Sequence, residues 1–217
     1  MELAGALLPR PGGRALLLSA GAALLALQGL GTYQRNRVWR TDLTLWQSAT
    51  EASPENGRAW QGLAIAYLDA GRPDAARPCL ARADALGHVS HILELAYLRV
   101  ALARGDQAAG LRHSLRAIQL APNEGDVYFG HAVWLHEYNH QDEAIAELET
   151  GLALSPSNLF ARQALQQLYE AAGRRSDYCR LARETVALSG NALPETNFSS
   201  KCVAGTPSPD QPPARLK

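Results

Sequence analysis

The sequence predicts an all-α chain in which one apolar N-terminal helix leads into an α-solenoid of helix-turn-helix repeats. Three observations predict it. Alanine, leucine and arginine are abundant, while valine, isoleucine, threonine and phenylalanine are scarce, and unbranched side chains lose little rotamer freedom in a helix. Residues 15–34 carry no charge, about the length an apolar helix needs to cross a bilayer. From Trp39 onward, amphipathic stretches alternate with proline-containing breaks that recur at a fixed spacing.

The apolar stretch begins after a short segment, residues 1–14. Arg10 and Arg14 precede it, and Arg35, Arg37 and Arg40 follow. Three readings fit: a membrane anchor, a cleaved signal peptide and a buried soluble helix. A signal peptide wants a small-x-small site after the apolar core, and Gly29–Trp39 offers only weak candidates. A buried helix normally keeps a polar face, which this stretch lacks. The anchor is therefore the expectation, as a single pass through the membrane. Arginines at both ends leave its orientation open.

Residues 35–56 read as a linker and a capping helix, Asp42–Ser53. The repeats follow over residues 57–190. Pro54, Pro122 and Pro156 each close a helical run in a similar phrase, EASPEN, QLAPNE and ALSPSN. The last two lie 34 residues apart and the first two twice that, with His88 at the midpoint. This period, with Trp60, Leu63, Ala64, Tyr67, Gly71, Ala76, Leu80 and Ala83 in the first full copy, resembles the tetratricopeptide repeat (TPR), a pair of antiparallel helices. Small residues such as Ala64 and Ala76 let backbones approach, and Gly71 supplies the positive φ that ends a first helix.

About four copies are expected. The second, near His91, keeps Gly105, Gly110, Ala117, Leu120 and Pro122, but has Leu98 where a small residue belongs. In the third, Tyr128, Ala132, Ala144, Leu148, Leu154 and Pro156 match, and Asn139 replaces glycine in the turn. The fourth retains Leu165, Tyr169, Gly173 and Leu188. Trp46, Ala49 and Pro54 fall where a second repeat helix would place them, so the capping helix stands alone before the stack. Residues 191–217 hold five prolines among polar residues and read as a disordered tail. Asn197-Phe198-Ser199 in that tail is a formal glycosylation sequon.

Lys+Arg and Asp+Glu both number 21, so the basic excess that nucleic-acid binding needs is missing. Three cysteines form no CxxC and no metal-like spacing. A Cys179–Cys202 disulfide fits an oxidising compartment, but unpaired thiols are the favoured reading, because a buried cysteine often acts as a small hydrophobe. His136-Glu137-Tyr138-Asn139-His140 spells H-E-x-x-H, whose zinc chemistry needs both histidines on one helix. The repeat places Asn139 in a turn between two helices, so the motif reads as an inter-helix turn. His88 and His91 supply two ligands at most, and Arg174-Arg175 belongs to a solvated turn. No phosphate loop, nucleophile elbow or carboxylate pair appears. No catalytic residue, cofactor or metal is therefore expected.

What the repeats offer is a surface. Stacked hairpins line a concave face with their first helices, a groove for a peptide or a partner helix. The register assigns Arg58, Gln61, Ile65 and Asp69 to that face, then Ile92, Leu95 and Arg99. Asp126, Phe129, Val133 and Glu137 continue it, followed by Phe160, Gln163 and Gln167. Mixed charge with exposed aromatics suits a protein or peptide partner.

One junction is more specific. Arg35-Asn36, Trp39, Asp42, Leu45 and Trp46, between the apolar stretch and the repeats, resemble the linker of the transmembrane and tetratricopeptide-repeat (TMTC-type) family and its bacterial relatives. One residue more than the pattern allows separates Trp39 from the acid. The resemblance covers roughly residues 15–190, the C-terminal part of such proteins. It implies repeats on the periplasmic or lumenal side. Members of that family are polytopic and resemble O-mannosyltransferases, whereas this chain shows one apolar segment and no acidic catalytic loop. Catalysis is not implied. The first expectation is thus a membrane-anchored scaffold, the second a non-catalytic accessory or C-terminal module of a membrane glycosyltransferase, and the third a zinc peptidase.

Overall fold

The structure, a computed structural model, describes residues 11–189 and Cys202. Among these residues it is all-α, with ten helices. The chain divides into two compact units, with the boundary between Val89 and Ser90.

The first unit contains α1 (Pro11–Val38), α2 (Asp42–Ala52), α3 (Gly57–Asp69) and α4 (Pro73–Ala85). Thr41 starts α2 through a capping box, accepting from the Thr44 amide while the Thr44 hydroxyl accepts from the Thr41 amide. Such reciprocal bonds satisfy donors that a helix start leaves unpaired. Trp46 then lies flat on α3, where a methyl group on Gly62 would stand 2.4 Å from the indole. The segment expected as a capping helix, Asp42–Ser53, is thus helical over Asp42–Ala52 and packs on α3. The core between α3 and α4 consists of Leu63, Ala64, Leu68, Ala76, Leu80 and Ala83. Its alanines let the two backbones approach, and its leucines fill the space that remains.

Residues 15–34, expected to span a membrane, fold into α1 as a helix. Among the described residues, however, no helix is long and apolar enough to cross a membrane. Between Ala15 and Gly31, five alanines, three glycines and Gln28 dilute seven leucines. Leu16, Leu18, Leu24, Leu25, Leu27 and Leu30 are all exposed. Helix α1 also continues to Val38, so the first part of the expected linker is helical.

The second unit contains α5 (His91–Arg104), α6 (Gln107–Leu120), α7 (Gly125–Glu137), α8 (Gln141–Leu154), α9 (Leu159–Ala171) and α10 (Arg175–Ser189). Its core joins Leu98, Trp134, Leu135, Ile145, Leu148, Leu165, Leu168 and Tyr169. The degenerate second repeat is accommodated here. Leu98, too large for its position, is buried at 2 % exposure. It is matched by Gly110, whose missing Cβ leaves room for the Trp134 ring at 2.7 Å and Leu98 at 3.6 Å.

Three devices recur with the repeat. Asn56, Ser90 and Asn158 accept amide bonds as N-caps of α3, α5 and α9. Gly71, Gly105, Asn139 and Gly173 share a left-handed φ of 65–68°. After each, an amide reaches back across the turn into its helix, as Arg72 does to the Tyr67 carbonyl, Asp106 to Ala101, His140 to Leu135 and Arg174 to Tyr169. That is the Schellman closure. The landmark prolines also share a role. The carbonyls of Pro54, Pro122 and Pro156 accept from Trp60 Nε1 at 2.8 Å, Tyr128 Oη at 2.9 Å and Arg162 Nε at 2.7 Å. Three different side chains thus satisfy one recurring carbonyl that the turn leaves without a helical partner.

Cys179 and Cys202 form a disulfide, with Cα atoms 5.5 Å apart. Unpaired thiols, the favoured reading of the sequence, hold only for Cys79, which is free and buried. The sequence could not decide this, because nothing in a 23-residue separation says whether the chain returns to α10. The remainder of the expected tail, with its sequon, lies outside the described residues.

Candidate interaction surface

In the first unit, Arg58 and Asp69 are exposed near the two ends of α3, and Ile65 is half-buried. Gln61, expected beside them, is only 7 % exposed. Its Oε1 lies 2.8 Å from His88 Nε2, and a methyl group on Gly57 would stand 2.5 Å from the His88 Cβ. His88, at the position of the missing proline, is therefore seated against α3 and holds Gln61 inward. Helix α3 is enclosed by α2 on one side and α4 on the other, so little but its ends remains open.

In the second unit, Ile92 of α5 is 43 % exposed and Arg99 is exposed, while Leu95 is half-buried. Leu95 reaches the space at Gly130, where a Cβ would meet its Cδ2 at 2.4 Å, so α5 and α7 approach closely. On α7, Asp126, Val133 and Glu137 are exposed. Phe129 is half-buried and packs on the core. Asn158 donates from Nδ2 to Asp126 Oδ1 at 3.0 Å while its Oδ1 caps α9, so one residue links the starts of α7 and α9. On α9, Gln163 and Gln167 are exposed and Phe160 stands out at 78 %. Of the expected residues, then, Phe160, Val133, Ile92 and their polar neighbours face solvent, Phe129 is shared with the core, and Gln61 is withdrawn.

The H-E-x-x-H string is split as expected from the repeat. Helix α7 ends at Glu137, and His140 occupies the N-cap position of α8 without a side-chain capping bond. His136 Nδ1 lies 3.0 Å from Gln141 Oε1, and His140 Nδ1 lies 3.2 Å from Glu143 Oε1. The two imidazoles serve opposite sides of the turn. Among the described residues no group of three or more metal-ligating side chains comes together.

Sequence reasoning missed several polar residues that the fold buries. His131 is 8 % exposed, with Nδ1 at 3.0 Å from Ser114 Oγ and its ring stacked on Trp134. Burial lowers its pKa against a smaller opposing pull from Glu143. Glu147 keeps one buried oxygen, Oε2, without a hydrogen bond, and burial raises its pKa. Tyr169 donates to Glu149 Oε1 at 2.6 Å; burial and that carboxylate push its pKa up to about 12. Arg162 is 6 % exposed although it lies on a first helix. Arg162 stands at the register position of Trp60 and Tyr128, whereas the others carry no local signal, since each depends on which face of its helix is covered.

Residues 43–95 match the family model described as tetratricopeptide repeat. The matched span starts after the apolar stretch and most of its linker. No curated protein matches the chain in sequence. Among solved structures the chain is similar to TTC0263, a thermophilic TPR protein of Thermus thermophilus. The TM-score is 0.64 at 20% identity, covering 82% of this chain and 94% of that one. It is also similar to PilF of Pseudomonas aeruginosa, with a TM-score of 0.59 at 17% identity over 68% of this chain and 69% of that one. YrrB, described as a TPR protein with an unusual peptide-binding site, matches with a TM-score of 0.50 at 16% identity, covering 77% and 83%. At these identities the likeness is one of fold. The fold is that of TPR proteins.

Proposed function

We propose that this chain is a non-catalytic scaffold that binds a protein or peptide partner on the first-helix faces of its hairpins. The observation that carries the reading is Phe160, a phenylalanine 78 % exposed on α9 beside the exposed amides of Gln163 and Gln167. A large solvated aromatic flanked by hydrogen-bonding groups is the composition of a binding anchor. The peptide-binding site for which YrrB is described supports the same use of the fold. Arg58, Asp69, Arg99, Asp126 and Glu137 supply charges of both signs to these faces.

Helix α1 is proposed as the attachment to a membrane. Its support is the uncharged run of residues 15–34 and six leucines that stay exposed around the helix, a surface that calls for an apolar cover. The periplasmic or lumenal placement implied by the linker gains support from the Cys179–Cys202 disulfide, because such bonds persist in oxidising compartments.

Photo-crosslinking from position 160 in the source cell tests the first part. A discrete adduct that disappears when Gln163 and Gln167 are replaced by alanine is expected, with an unchanged thermal transition. No adduct from any first-helix position would overturn it. Fractionation with carbonate tests the tether: the full chain stays with membranes, and deletion of residues 1–34 releases it.

A further inference from the structure

A cavity of about 400 Å³ lies between α8, α9 and α10. It opens on the side of α9 opposite Phe160 and Gln163, since Arg162, Leu165 and Tyr169 line it and positions 160 and 162 are about 200° apart around a helix. Leu152, Leu165 and Leu181 form its apolar wall, while Glu149, Tyr169, Arg180 and Glu184 supply polar groups to the lining. Its polar base is Arg162. The guanidinium is anchored through Nε, which donates to the Pro156 carbonyl at 2.7 Å. The Nη1 end is buried with no hydrogen bond. Among the described residues the nearest anion, Glu184 Oε2, stands 3.6 Å away, beyond hydrogen-bond distance.

A buried, fixed guanidinium with an unused donor is costly unless an acceptor reaches it. Glu184 is a poor one, because its side chain is 47 % exposed and its other oxygen lies 3.7 Å from Arg180 Nη1. Arg180 can hold that carboxylate when it swings away. The other acid of the pocket, Glu149, is already engaged by the Tyr169 hydroxyl at 2.6 Å and by Arg174. One carboxylate place on Arg162 is thus held by a displaceable stand-in.

We propose that this cavity binds the C-terminal residue of a peptide, with its free carboxylate replacing Glu184 on Arg162 and an apolar side chain against Leu152, Leu165 and Leu181. A chain terminus carries carboxylate and side chain on one Cα, which fits a cavity of this volume. An internal acidic residue would bring two further peptide groups into the same volume, and the leucines of the apolar wall give these no partners. A phosphate dianion would set two charges rather than one against Glu149 and Glu184, with only Arg162 and Arg180 as cations of the lining, so its like-charge cost is larger than a carboxylate's. This site is separate from the first-helix faces, and its failure leaves the scaffold reading untouched.

The test is calorimetric titration of the full chain with N-acetyl-Ala-Leu as the free acid, its C-terminal amide, and N-acetyl-Glu-Leu-amide. The free acid binds at least tenfold more tightly than either amide. Glu184→Ala, at a half-exposed position, tightens the free acid several-fold by removing the competitor, and Arg162→Gln abolishes binding. Phe160→Ser leaves all three values unchanged. Equal binding of acid and amide overturns the proposal, as does no binding of the acid at millimolar concentration. Glu184→Ala that weakens the acid, or leaves it unchanged, overturns it too, and that variant does not depend on how well Arg162→Gln folds.

Discussion

Gly110 leaves the space that Trp134 fills: a methyl group on Gly110 would stand 2.7 Å from the indole Cδ1 and 2.8 Å from Nε1. The ring cannot retreat easily, because Nε1 donates to the Gln107 carbonyl at 3.2 Å and the indole stacks on His131. Gly110→Ala therefore destabilises the second unit by about 1–3 kcal/mol, even though alanine is the better helix former by about 1 kcal/mol. Urea unfolding followed by tryptophan fluorescence measures it. A variant as stable as the parent would mean the ring is not held there.

Asn139 is the non-glycine member of the series Gly71, Gly105, Asn139 and Gly173, at φ 65°. Asparagine tolerates the left-handed region, whereas alanine pays about 1–2 kcal/mol to enter it. Asn139→Gly leaves stability unchanged or slightly higher, and Asn139→Ala lowers it by about 1 kcal/mol. Thermal melts of the two variants side by side check the difference.

That series was legible in the sequence, and so were the landmark prolines, because backbone geometry at a turn narrows the residue choice at one fixed position. Helix faces were less so. Gln61 is a polar residue on a first helix, yet α2 and His88 enclose it, whereas Arg162 occupies the register position of Trp60 and Tyr128 and turns inward as they do. A repeat register says which residues share a face, but a helix outside the repeat, such as α2 against α3, covers residues the register leaves open. The same limit hid His131, whose burial needs Ser114 and Trp134 around it. Phe160 was legible because nothing in its own helix period competes for it. The exposed leucines of α1 read as apolar in the sequence, while their dilution by alanine and glycine decides how far such a helix can serve as a span.

His131 makes the fold sensitive to acid. Burial holds its folded pKa below the usual histidine value, so the unfolded chain binds a proton that the folded chain resists. Unfolding then takes up protons, and stability falls as pH drops below about 6.5, the value of the free side chain. Above that pH the group is neutral in both states and contributes no slope. His131→Phe keeps a ring against Trp134 and removes the proton, so the decline between about pH 6.5 and the folded pKa flattens by one proton's worth. Stability against urea at several pH values measures the slope in both proteins. An unchanged slope would assign the acid sensitivity to other groups, among which Glu147 acts in the opposite sense, its raised pKa favouring the folded state as pH falls.

The Cys179–Cys202 bond fastens the segment beyond α10 to that helix across a separation of 23 residues. Closing a loop of this size removes conformational freedom chiefly from the unfolded chain, worth about 3 kcal/mol. Cys179 is 7 % exposed but lies about 200° around α10 from the core residue Leu181, so the half-cystine is buried on a different side of the helix from that core. Reduction, or Cys202→Ser, therefore lowers the unfolding free energy of the second unit by about 3 kcal/mol and leaves α10 in place. Cys179→Ser costs more, because it adds a hydroxyl to a buried site. The ordering is read from melts of the oxidised parent, the reduced parent and the two variants. Reduced and oxidised parents melting together would show that the bond spans chain already held by other contacts.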